Sequence, residues 1–184
     1  MKTMTRHCRT ATLAGTALAA GLFASTGASA QTPLRNCIDT LQGMPEYSRF
    51  VGAVIRSHLV QDMRNAQAIT VFAPNNAAAA KVNPALIDRV FPMEESGGPR
   101  TADPILSLAA IGVHTTNQRL PSATLTNGQS ITTSGGTPLT VAVSNATPPV
   151  TTVTAANGVV ATVVTAAIPC SNGAIYGIDT VLFR

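Results

Sequence analysis

Thr70-Val-Phe-Ala-Pro-Asn-Asn76 and, near the end of the chain, Ser171-Asn-Gly-Ala-Ile-Tyr-Gly-Ile-Asp-Thr-Val-Leu182 are the two stretches whose reading decides the fold. In the first, Val71 and Phe72 are bulky residues suited to a pleated surface, and Pro74, lacking an N–H, ends the strand. Asn75 or Asn76 then offers a side-chain cap to a helix over residues 77–80. The second stretch opens on Asn172-Gly173 and continues as an apolar strand over residues 174–183. Its one carboxylate, Asp179, needs hydrogen-bond donors if it is buried. Phe72, Pro74, Asn75, Asn172, Gly173 and Asp179 therefore read as scaffold rather than as chemistry.

Outward from these stretches the chain changes character. Up to about Ile111 it reads helical, because Thr32-Pro33, Asn83-Pro84 and Asp103-Pro104 each place a capping side chain before a proline that is harmless in a first turn. Leu34, Cys37, Ile38 and Leu41 repeat at helical spacing, and after Met44-Pro45 so do Tyr47, Phe50, Val51, Val54 and Ile55. Each set predicts one buried face. The segment 92–103, with Glu94, Glu95 and two glycines, lacks periodicity and reads as an exposed loop.

Beyond Leu120, Thr, Val, Gly and Asn dominate and predict short strands. Residues 134–138 turn one hairpin, between 130–133 and 139–143. Asn157-Gly158 turns another, as a type I′ turn with positive φ at both central residues. Helices gathered in the N-terminal half and strands in the C-terminal half predict an α+β fold with mainly antiparallel pairing.

The first thirty residues read as a secretory leader: Lys2, Arg6 and Arg9 precede an apolar run over 11–24 that ends at Ala28-Ser29-Ala30. That run is too short to cross a bilayer, and no later segment is long or apolar enough. The expected protein is exported, secreted or periplasmic, with one domain over residues 31–184. Without the leader, nine basic residues face eight acidic ones, a net charge of +1. With no Lys/Arg cluster, the chain lacks the phosphate contacts that nucleic-acid binding requires.

Export carries Cys37 and Cys170 into an oxidising compartment, where they form one bridge or remain two buried thiols. His58 and His114 show no ligand spacing to either cysteine, so no metal site is expected. No nucleophile elbow, zincin or phosphate-loop pattern appears. Glu94 and Glu95 read as a solvated pair, Gly135-Gly136 as a turn, and Asn145-Ala-Thr147 as a glycosylation acceptor in a host that uses one. No cofactor is implied, and the expectation is a protein without catalysis.

Thr70-Val-Phe-Ala-Pro-Asn-Asn-Ala77 and the segment 172–182 resemble the two signature boxes of the fasciclin domain family, in its secreted, single-domain bacterial type. The linker 120–129 and the openings Asp39-Thr-Leu and Pro45-Glu-Tyr-Ser-Arg-Phe50 are similar to that family as well. The resemblance implies a wedge-shaped β-sandwich with helices packed on it. It also implies an adhesion or matrix-interaction module whose partner is a cell-surface or matrix protein or a glycan. A carrier of a small lipophilic ligand such as a pigment is the alternative, since some members bind pigments. In animal members a Tyr-His pair is linked to integrin-dependent adhesion. Here the dipeptide is Val113-His114, so the phenol is missing, and His114 stands as either a binding residue or a histidine hydrogen-bonded within the fold.

Overall fold

In the computed structural model the two stretches are neighbouring strands. β1 (Ile69–Pro74) lies parallel to β7 (Gly173–Ile178), in register from Ile69 opposite Gly173 to Pro74 opposite Ile178. Both strands are buried along their whole length, as parallel strands covered on two faces must be. The structure describes residues 33–91 and 103–183, all within the compact unit Pro33–Arg184. The loop expected over 92–103 lies outside the described residues except for Asp103, and the leader lies wholly outside them.

The remaining strands are β2 (Thr115–Thr116), β3 (Ser130–Thr132), β4 (Pro138–Val143), β5 (Thr151–Ala155) and β6 (Val160–Cys170), in one sheet of order β2-β1-β7-β6-β5-β4-β3. Every pairing except β1–β7 is antiparallel. Register shifts between Val163 and Ile168 bend β6, so its first part pairs with β5 and its second with β7. The sheet thereby folds back on itself. Its two edges meet where Thr116 Oγ1 donates to Thr132 O (2.8 Å) and Ser134 N–H donates to Thr115 O (2.7 Å). The two layers implied by the family resemblance are thus the two arms of one nearly closed, mixed sheet.

Two apolar cores follow from the alternation of side chains along β1 and β7. Phe72 and Tyr176 point into the barrel and stack with ring centroids 5.5 Å apart, joined there by Ile131, Leu139, Val141 and Val153. Val71 and Ile175 point the other way, into a core shared with the helices. These are α1 (Cys37–Gln42), α2 (Ser48–Arg56), α3 (Val60–Asn65), α4 (Asn76–Ala80), α5 (Pro84–Val90) and α6 (Pro104–His114).

Two proline-led starts are as the sequence predicts. Asn83 Oδ1 accepts from Ala85 N (2.9 Å), and Asp103 Oδ1 accepts from Ile105 N (3.0 Å) and Leu106 N (3.2 Å). The first helix corrects expectation: it begins at Cys37, not at Pro33, because Asn36 supplies the cap, accepting from Asp39 N at 2.9 Å. Leu34 is left 58% exposed. Ile55 is also exposed, since the buried stripe of α2 runs through Phe50, Val51, Ala53 and Val54. α2 ends in a Schellman motif: Leu59 N–H donates to Val54 O (3.2 Å), His58 N–H donates to Ile55 O (3.1 Å), and His58 takes the left-handed position at φ 57°.

Two further corrections concern the strands. The last strand stops at Ile178, and the chain bends at Asp179. The Asn157-Gly158 hairpin is not type I′, because among this loop's residues only Gly158 has positive φ (80°). Gly158 N–H donates to Ala155 O (2.9 Å) and Ala155 N–H to Val159 O (2.8 Å), the pattern of a type I turn closed by a left-handed glycine. That turn leaves Asn157 free to donate from Nδ2 to Leu182 O at 3.2 Å.

Candidate interaction surface

The box residues build joints. Asn75 caps α4, its Oδ1 accepting from Ala78 N at 2.7 Å. Asn76 reaches across to α2, accepting from Arg49 N (3.2 Å) and donating to Pro45 O (3.0 Å). Pro74 closes β1 opposite Ile178. Asn172, which is buried, is a hub: Oδ1 accepts from Cys37 N (3.0 Å), while Nδ2 donates to Met63 O (2.9 Å) and Ala66 O (3.3 Å). One amide thus satisfies backbone groups at the start of α1 and the end of α3. Beside it, Cys37 and Cys170 are joined in a disulfide with Cα atoms 5.0 Å apart.

Asp179 is half-buried. Its Oδ1 accepts from Thr162 N (2.8 Å) and Thr180 Oγ1 (3.0 Å), fastening the chain beyond β7 to β6. Removing the carboxylate in Asp179→Ala leaves the Thr162 N–H unsatisfied and is expected to cost about 1–2 kcal/mol. Asp179→Asn, which keeps an acceptor oxygen, should recover most of that loss in urea denaturation.

His114 offers no atom to a surface partner, which corrects its candidacy as a binding residue. Its ring is 0% exposed and packs among Phe50, Phe91 and Phe183 at centroid distances of 6.0 to 6.1 Å. Nδ1 donates to Ala110 O (2.6 Å) and Nε2 accepts from Leu182 N (3.1 Å), an arrangement that only the neutral ring satisfies. Burial pushes its pKa down to about 4. In the unfolded chain the value is near 6.5, so the unfolded state gains a proton that the folded state refuses as the pH falls from 6.5 towards 4. Stability is expected to drop by about 3 kcal/mol across that window. The corresponding slope should vanish in His114→Gln when denaturation midpoints are compared at pH 7 and pH 4.5.

With the box residues and His114 spent on the fold, any recognition falls to the surface. Two features stand out there. α6 is apolar all round, so it cannot hide every side: Ile105 is 77% and Leu108 51% exposed. These two, with Ala109, border a cleft of about 510 Å³ that runs between α3, α6 and the β3–β4 turn. A second cleft, of about 590 Å³, lies along α2 and is lined by Arg49, Arg56, Ser48, Asn76 and an aliphatic floor. Both are open to solvent, whereas the barrel interior is filled by side chains such as Phe72, Ile131, Leu139 and Tyr176. Among the described residues no group of three or more His, Cys, Asp or Glu is placed to hold a metal ion.

Residues 45–184 match the family model of the Fasciclin domain. The chain belongs to the fasciclin domain family. Among solved structures it is similar to the FAS1 domain pair from the insect cell adhesion molecule fasciclin I, with 18% identity and a TM-score of 0.68. The likeness covers 83% of this chain and 52% of that one, so this chain spans about half the length of that pair. No curated protein matches the chain.

Within this fasciclin domain neither cleft was anticipated from sequence. α6 carried a usable signal: apolar residues at 105, 106, 108, 109, 110, 111 and 113 occupy more than one face, so some had to lie outside. The α2 cleft had only a mid-helix glycine, Gly52, to betray it.

Proposed function

We propose that this fasciclin domain is an exported adhesion or matrix-interaction module, a non-catalytic binding protein whose contact face is the outer side of α6. Fasciclin domains generally serve adhesion or matrix interaction and are generally non-catalytic. The observation that carries the reading is the pair Ile105 and Leu108, exposed on α6 beside an open apolar cleft. Contiguous exposed apolar surface of this kind marks a protein contact. Export is supported by the leader and by the disulfide, and no helix among the described residues is long and apolar enough to cross a membrane. Partners are a cell-surface or matrix protein or a glycan.

Beads coated with the domain are expected to adhere to the host's envelope or matrix. Ile105→Ser with Leu108→Ser should reduce that adhesion strongly while leaving the denaturation midpoint within about 0.5 kcal/mol, the usual effect of surface substitutions. Equal adhesion by both proteins would end the assignment of α6. Cleavage behind Ala30 predicts a mature chain beginning at Gln31, which N-terminal sequencing of the exported protein checks.

A further inference from the structure

The chain contains three Asn-Gly pairs, Asn127-Gly128, Asn157-Gly158 and Asn172-Gly173. In such a pair the glycine nitrogen can attack the side-chain amide carbon of the asparagine before it, because no Cβ obstructs the approach. The local chemistry is the same at all three positions, so the fold decides which pair reacts.

Asn172 is buried, and both atoms of its amide are engaged, by Cys37 N, Met63 O and Ala66 O. Gly173 is pressed against Ile69 in β1, which keeps the chain there from curling toward the side chain. Asn157 lies at a hairpin tip, yet it too is engaged on both atoms: Oδ1 accepts from Val159 N–H (3.0 Å) and Nδ2 donates to Leu182 O (3.2 Å). Asn127 differs. It is exposed, and among the described residues its amide makes one hydrogen bond, Oδ1 accepting from Val143 N–H at 3.1 Å. That donor stands where negative charge develops on oxygen when the amide carbon is attacked. The leaving nitrogen, Nδ2, is left to take a proton from water. Gly128 has φ 82° and nothing within 4 Å of a Cβ position, so the attacking nitrogen has room. Its N–H is held by Val141 O (2.8 Å), and reaction therefore follows local opening of this exposed loop, which costs far less than opening the core.

We propose that Asn127 is a site of spontaneous deamidation, the first of the three pairs to convert in the folded domain. A bond forms between Gly128 N and Asn127 Cγ, the Cγ–Nδ2 bond breaks, and ammonia leaves with the proton that Gly128 N gives up. Water then opens the succinimide ring on either side, giving aspartate or isoaspartate. The exchange consumes water, releases ammonia and needs no oxidant or enzyme. From Leu120 to Ile178 the sequence holds no Asp, Glu, Lys, Arg or His, so the product carries the only charge in that stretch. Aspartate can still accept from Val143 N–H. Isoaspartate lengthens the main chain by a methylene beside Gly128 N–H and Gln129 O, both bonded to Val141, and should loosen the chain from β4 there. Neither α6 nor its cleft takes part.

The test ages the mature, oxidised domain in mildly alkaline buffer and follows all three pairs by peptide mapping, with aspartate and isoaspartate separated before mass spectrometry. Conversion is expected at Asn127 several-fold ahead of Asn157 and Asn172, with ammonia released in step. In the reduced chain unfolded in guanidinium chloride the three should convert at similar rates, since only local sequence then acts. Asn127→Ser should lose the early acidic species on ion exchange, and Asn127→Asp should elute with its aspartate form. Faster or equal conversion at Asn157 or Asn172 in the folded domain overturns the proposal. So does a folded domain still intact at Asn127 after the unfolded chain has converted completely, or an early acidic species that persists in Asn127→Ser. A lead for Asn127 that is unchanged in the unfolded chain would place its cause in the neighbouring residues and overturn the proposal likewise.

Discussion

Gly173→Ala is expected to destabilise the domain by about 4 kcal/mol or more, a large share of the 5–15 kcal/mol that holds a typical domain together. The cause is space at the backbone. Gly173 faces Ile69 in the parallel pair, and an added Cβ would fall on the Ile69 carbonyl oxygen and 2.7 Å from its carbon. No side-chain rotation relieves a clash with backbone, so β1 must separate from β7. The hydrogen bonds Ile69 N–H to Asn172 O (3.0 Å) and Asn75 N–H to Ile178 O (3.2 Å) depend on that junction, as does the Phe72–Tyr176 stack. Gly158 supplies the contrast. It holds φ 80° but has nothing within 4 Å of a Cβ, so Gly158→Ala meets only the left-handed backbone penalty of about 1–2 kcal/mol. Urea denaturation of the two variants separates these causes. Equal losses would show that β1 and β7 do not approach each other this closely.

That contrast also marks what the sequence makes legible. Caps at Asn83 and Asp103 and the turns at Gly136 and Gly158 are local, so a few adjacent residues specify them. The turn at Asn157-Gly158 departs from type I′ for a physical reason: one left-handed residue suffices when the loop is one residue longer. Partner choice between strands is nonlocal. Nothing in residues 69–74 alone says that residues 173–178 lie beside them, and family resemblance joined the two boxes without giving their parallel register. His114 was ambiguous because a lone histidine carries no sign of its surroundings. Its burial depends on Phe50, Phe91 and Phe183, which arrive from three distant parts of the chain. Surface clefts were the least legible, since they form where elements fail to fill space, and only Gly52 and the many-sided apolarity of α6 left a trace.

Breaking the Cys37–Cys170 bridge is the other large effect expected. The two cysteines are separated by 133 positions, and on the chain-entropy model closing such a loop stabilises by about 5 kcal/mol. The folded state barely needs the bond as a clamp. Cys37 N–H already donates to Asn172 Oδ1 (3.0 Å), and Ser171 N–H donates to Arg35 O (2.9 Å), so the start of α1 and the end of β6 are held beside each other without it. Most of the gain therefore lies in denying the unfolded chain its expanded conformations. Two consequences distinguish this from a local packing role. Cys37→Ala with Cys170→Ala should lower the denaturation midpoint by an amount worth several kcal/mol while keeping the native far-UV spectrum. It should also steepen the dependence of free energy on denaturant, because an uncrosslinked unfolded chain exposes more surface. Two thiols open to alkylation in the unfolded but unreduced protein would show that the bridge does not form. An unchanged denaturant dependence with a large loss of stability would place the effect in the native packing around Asn172 instead.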